Sequence, residues 1–79
     1  MAVNAHAAAK YHQFLKDMRF LRRRGPYELK HSPIGYWVDG RCGYQVAGYF
    51  GSKYRAAREA RRMVEQAEQS GEHPTWRFS

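Results

Sequence analysis

Ile34-Gly35-Tyr36-Trp37-Val38-Asp39-Gly40-Arg41-Cys42-Gly43-Tyr44-Gln45-Val46-Ala47-Gly48-Tyr49-Phe50 is a run of aromatic, β-branched and glycine residues split by one strong turn signal, Asp39-Gly40. Alternation on either side of that turn predicts two strands, about 34–39 and 43–50. In the first, Ile34, Tyr36 and Val38 share a face and Trp37 takes the other. In the second, Tyr44, Val46 and Phe50 face away from Gln45, Ala47 and Tyr49. Upstream, Tyr27 and Leu29 alternate over 27–31 before Ser32-Pro33 breaks the run, which adds a third strand. Consecutive strands joined by short connections form an antiparallel meander.

Both flanks of this region read as helices. About 5–24, apolar Tyr11, Phe14, Leu15, Met18 and Leu21 recur at steps of three and four, with Asn4 as the expected N-cap and Gly25-Pro26 as the stop. His12, Lys16, Arg19 and Arg23 form a basic stripe on another face, and Arg22-Arg23-Arg24 suits the C-terminal end of the helix dipole. About 53–69, Ser52 is a good N-cap, Ala56, Ala57, Ala60, Met63, Val64 and Ala67 make an apolar face, and Ser70-Gly71 ends the helix. Small alanines let that helix pack close to the sheet. The expected fold is therefore one small α+β domain spanning 1–79, in the order α-β-β-β-α, with both helices on one face of the sheet. The tail, 72–79, carries Trp76 and Phe78, which suggests docking, for instance as an edge strand.

Charge narrows the function. The chain has 79 residues and a net charge of +7. By segment the charge is +5 over 1–24, zero over 25–52, +4 over 53–62 and −2 over 63–79. The positive charge thus lies on the two helices, around a neutral sheet, and calls for an anionic partner. No apolar run approaches a membrane span, and the first ten residues lack the apolar core of a signal peptide. A single cysteine, Cys42, excludes an internal disulfide, so the expected setting is the reducing cytoplasm. His6, His12, His31, His73 and Cys42 show no metal-ligand spacing, so neither metal nor other cofactor is expected. The carboxylates are scattered and no nucleophile–base motif is present, so an enzyme is not expected either.

The start of the second helix is the most informative place. Lys53, Arg55 and Arg58 oppose the helix dipole there, and Glu65 and Glu68 have the wrong sign near the other end. A bound phosphate resolves the first conflict; a solvated face with Arg55–Glu59 and Arg61–Glu65 pairs is the other reading.

Gly51-Ser52-Lys53-Tyr54-Arg55-Ala56-Ala57-Arg58-Glu59-Ala60 resembles the second-helix start of double-stranded RNA-binding domains, with Ser52, Lys53, Ala56 and Ala60 in the matching positions. Pro26-Tyr27-Glu28-Leu29 resembles that family's first strand, and the element order agrees. The resemblance implies a phosphate contact at Lys53, while Tyr54 and Ala57 stand where the family has lysines. Gly48-Tyr49-Phe50 followed by Ala56-Ala57 and Ala60 is similar to the third strand and helix of AP2-type and integrase arm-type DNA-binding domains. That second resemblance implies a sheet laid in the major groove, with Trp37, Arg41, Gln45 and Tyr49 as reading residues.

The expected function is nucleic-acid binding, RNA or DNA, through backbone contacts from Lys16, Arg19, Arg23, Lys53, Arg55, Arg58 and Arg62. Trp37, Tyr49 and Trp76 are candidates for base stacking or for anchoring a protein, with the alternative that Trp76-Arg77-Phe78 packs over the first two as a second small core. A second expectation is a protein-binding effector that docks on an acidic surface. Small phage and mobile-element proteins that inhibit host machinery, anti-CRISPR proteins among them, are similar in size and charge. A homodimer is compatible with either.

Overall fold

The computed structural model describes residues 5–40 and 45–71. Helix α1 (Ala5–Arg24) leads into strands β1 (Glu28–Ser32), β2 (Gly35–Asp39) and β3 (Gln45–Phe50), and helix α2 (Lys53–Ser70) follows. This is the α+β order expected from the periodicities. The strands form one antiparallel sheet in the order β1-β2-β3.

The helix ends follow local chemistry. Ser52 is extended at φ −128° and ψ 132°, and its Oγ accepts the Tyr54 N–H at 3.2 Å. Gly71 closes α2 in the left-handed conformation at φ 74°, which a side chain would disfavour, and its N–H donates to the Ala67 carbonyl. Asn4, the expected cap of α1, and the tail 72–79 lie outside the described residues.

Met18 and Leu21 of α1, Val38, Val46 and Ala47 of the sheet, and Ala56, Ala57, Ala60 and Val64 of α2 form the core. The small residues of α2 rest on β2 and β3, while α1 leans mainly on α2. The two helices run parallel: Phe14 meets Tyr54 edge-on with ring centroids 5.2 Å apart, Arg61 bonds Asp17, and Arg24 bonds Glu68. Since Phe14 already faces the second residue of α2, the first turns of α1 project past the layer they would bury against. Tyr11, expected on the buried face, is therefore exposed. Leu15, expected there too, is 40 % exposed, because it turns toward the gap between α1 and β1.

The sheet corrects three further expectations. β2 begins at Gly35, and Ile34 sits in the two-residue turn after Pro33, 71 % exposed rather than facing the core. β1 begins at Glu28, leaving Tyr27 in the connection from α1. In β3 the alternation fails, since Val46, Ala47 and Gly48 are all buried. The register explains it: Tyr36 pairs with Phe50 but Trp37 with Gly48, and Val38 pairs with Ala47 but Asp39 with Gln45. Two bulges leave Tyr49 and Val46 without an opposite residue and bring Ala47 to the core face beside Val38. At Gly48, φ is 138° and an added Cβ would lie 2.4 Å from the Trp37 Cβ, so the closest strand approach depends on glycine.

Candidate functional site

The carboxylates decide which cations are free. Asp17 and Glu65 bond Arg61, Glu28 bonds Lys30, Glu59 bonds Arg62, and Glu68 bonds Arg24. Among the described residues this leaves Lys10, Lys16, Arg19, Arg22 and Arg23 of α1, and Lys53, Arg55 and Arg58 of α2, without a carboxylate partner. Every free cation described is thus on the helical layer. Lys30, the cation described on the strands, is tied to Glu28 at 2.9 Å, and that hydrogen bond together with the charge of Glu28 raises its pKa.

Sequence spacing places Arg55 four residues before Glu59, but Glu59 instead takes Arg62, with Oε2 2.9 Å from the guanidinium. The expected Arg61–Glu65 pair does form, at 2.7 Å. Arg62 is therefore ion-paired, whereas Arg55 has no carboxylate partner among the described residues and lies over the Phe50 ring, 5.0 Å from its centroid. Lys53 is half-buried, its ammonium 5.5 Å from the Phe14 centroid and 5.6 Å from that of Tyr54. Arg58 has neither carboxylate nor ring among the described residues.

Two open grooves organise these side chains. One, of about 700 Å³, runs between the helices and is lined by Lys10, Gln13 and Asp17 of α1 and by Tyr54, Arg55, Arg58 and Arg62 of α2. The other, of about 810 Å³, runs between α1 and β1 and brings Arg19, Arg22 and Arg23 beside Leu15, Tyr27 and Leu29. On α1 the rows Lys10-Gln13-Asp17 and Leu15-Arg19-Arg22 are about half a helical turn apart, so the grooves occupy opposite flanks. Lys16 and Arg23, seven positions apart, stand on the outer ridge between them. Of the expected contacts, Lys16, Arg19, Arg23, Arg55, Arg58 and Arg62 thus form a band that wraps over α1 and onto α2, while Lys53 lines neither groove and lies against Phe14 and Tyr54.

Beneath the band lies a residue absent from the expected set. Asp17 is 1 % exposed. Its Oδ1 accepts from Gln13 Nε2 at 2.9 Å and from the Arg61 guanidinium at 3.2 Å, while Oδ2 accepts no hydrogen bond from the described protein. Arg61 also lies over the Phe20 ring at 4.8 Å. Its bond to Glu65, and then that to Asp17, hold its pKa above the ordinary value against the opposing effect of burial. This cluster joins the helices and fixes the spacing of the inter-helix groove.

On the opposite face, Trp37 and Tyr49 are brought together as expected, with centroids 5.2 Å apart and planes tilted by 58°. Trp76 and Arg41 lie outside the described residues. Among the described residues, no three His, Cys, Asp or Glu side chains converge as metal ligands, and no helix is long and apolar enough to cross a membrane.

Fold and surface together define the class: a small α+β domain whose free positive charge, among the described residues, is carried by its helices. Comparison of the chain with known protein families, curated proteins and solved structures gives no match.

Proposed function

We propose that this chain is a non-catalytic nucleic-acid-binding protein that grips the phosphate backbone with its helical layer. The observation that carries the reading is the distribution of unpaired charge. The described carboxylates neutralise Arg24, Lys30, Arg61 and Arg62, and leave Lys10, Lys16, Arg19, Arg22, Arg23, Lys53, Arg55 and Arg58 for an external anion. A polyanion following the band over α1 reaches Arg55 and Arg58 across the inter-helix groove. Bases are not read in this mode, since arginine and lysine directed at phosphates carry register and affinity rather than sequence.

The resemblance to double-stranded RNA-binding domains supports a phosphate contact at Lys53. Its two alanine matches do not bear on the ligand, because Ala56 and Ala60 are buried core contacts. The sheet-reading alternative has less behind it, as the described strands carry no unpaired cation. The single cysteine, Cys42, supports a reducing, cytoplasmic setting for this activity.

The test is a titration with duplex RNA, duplex DNA and single strands. With about six phosphate contacts, affinity should fall on the order of 10³-fold between roughly 50 and 200 mM salt. A Lys53→Glu, Arg55→Glu, Arg58→Glu variant should abolish most binding. Absence of binding to any of the three at the lower salt would sink the proposal.

A further inference from the structure

The groove between α1 and β1 is bounded by an edge strand of the sheet, which the one between the helices is not. Leu15, Met18, Tyr27 and Leu29 line it together with Arg19, Arg22 and Arg23. We propose that it is a docking site for an acidic, extended segment of a partner protein, added to the sheet as a fourth strand beside β1. This goes beyond nucleic-acid binding and does not depend on it.

Strand geometry carries the first part. β1 and β3 are the two edges of the sheet. β3 shifts register twice against β2, which twists and interrupts an edge, whereas β1 pairs with β2 without a break from Glu28↔Asp39 to Ser32↔Gly35. The two-residue turn Pro33-Ile34 makes Ser32 and Gly35 the closing hydrogen-bonded pair. Ladder bonds then alternate along the strand, and Leu29 and His31 direct their N–H and C=O groups outward. A phosphate backbone has acceptors but no donors for those carbonyls. A peptide backbone matches both.

Side chains carry the rest. Added residues alternate across the sheet, so every second one would face the helical layer, meeting Leu15, Met18 and Leu29 below and Arg19, Arg22 and Arg23 above. Those arginines have no carboxylate partner among the described residues, and the one acid at the rim, Glu28, is held by Lys30. Acidic and apolar side chains therefore complement the groove.

A synthetic peptide of roughly ten residues alternating valine and glutamate serves as the probe, followed by amide NMR on the full chain. The peptide should bind, a valine–lysine counterpart should not, and the Leu29 and His31 amides should shift and exchange more slowly. Methylating alternate backbone nitrogens of the peptide should weaken binding by about tenfold or more, and so should Arg19→Glu with Arg22→Glu, two exposed positions. The methylated peptide tests the unaltered protein. No binding, equal binding of the methylated peptide, or shifts confined to the inter-helix groove would each overturn the proposal.

Discussion

Replacing Arg61 with methionine removes the ion-pair partner of a carboxylate that is 1 % exposed. Methionine keeps much of the aliphatic stem, so the change isolates the charge. Leaving one member of a buried pair uncompensated costs about 3–5 kcal/mol. The side chain of Arg61 is 32 % exposed, so water enters where the guanidinium was and the lower end of that range applies. Loss of the exposed contact to Glu65 adds under about 1 kcal/mol. Loss of the cation over Phe20 adds roughly 0.5–1 kcal/mol. The expected total is about 3.5–5 kcal/mol. A chain of 79 residues has on the order of 4–12 kcal/mol to lose.

Urea unfolding followed by circular dichroism measures this directly. At a slope of about 1 kcal/mol per molar, the midpoint should fall by about 4 M. The decisive comparison adds Asp17→Asn. If a stranded charge causes the loss, removing that charge in the Arg61→Met background should restore at least about 1 kcal/mol, a coupling expected only of residues in contact. An Arg61→Met loss under about 1 kcal/mol, or a second substitution with no restoring effect, would refute the account of Asp17 as a buried, Arg61-dependent anion.

Three other outcomes are expected. Gly48→Ala should cost about 3 kcal/mol in the same unfolding assay, from the contact with Trp37 and the positive φ together, and a loss under about 1 kcal/mol would show that the strands can separate there. Ser52→Ala should cost about 1 kcal/mol by removing the acceptor for the Tyr54 N–H, whereas Ser52→Asp should be close to neutral. In salt titrations with duplex RNA, Arg58→Gln should reduce the slope by about one, and Arg62→Gln by clearly less because Glu59 already engages Arg62; equal effects would mean the ion pair opens on binding.

The element order was legible because several levels of the sequence agree. Gly25-Pro26, Ser52 and Ser70-Gly71 punctuate helices whose apolar spacing independently predicts their extent. What escaped reading depends on contacts distant in the chain. Asp17 lies one step of four before Leu21, on the buried side of α1, yet a charged residue there reads as an exposed one until Arg61, 44 positions away, is placed beside it. The β3 bulges leave only Gly48 as a local trace, and the period-two rule then assigns Ala47 to the wrong face. Ile34 was different, since Pro33 is a favoured first turn residue and the signal for a turn was already present. Of the candidate site, the cationic residues could be read from the helices, but not which would be neutralised. Arg55 and Arg62 are both within reach of Glu59 by helical spacing, and side-chain geometry selects Arg62.

That selection bears on why α2 carries charge of the wrong sign at both ends. At its C-terminal end the conflict is resolved inside the fold. The parallel helices bring the last turn of α1, basic and so favourable to its own dipole, beside Glu68, and Arg24 bonds it at 3.0 Å while Glu65 bonds Arg61. One set of charges serves both helices there. At the N-terminal end the parallel arrangement offers nothing equivalent, because the facing part of α1 supplies Lys10, Gln13 and Phe14, and its nearby acid, Asp17, is already committed to Arg61. Among the described residues, Lys53 and Arg55 gain only aromatic contacts and Arg58 gains none. A requirement for solubility alone would be met by charge of either sign, and acidic residues in this first turn would add helix stability as well. Retaining three cations against the dipole, where the fold has visibly compensated the same kind of conflict at the other end, is the arrangement expected when the compensating anion comes from outside the chain.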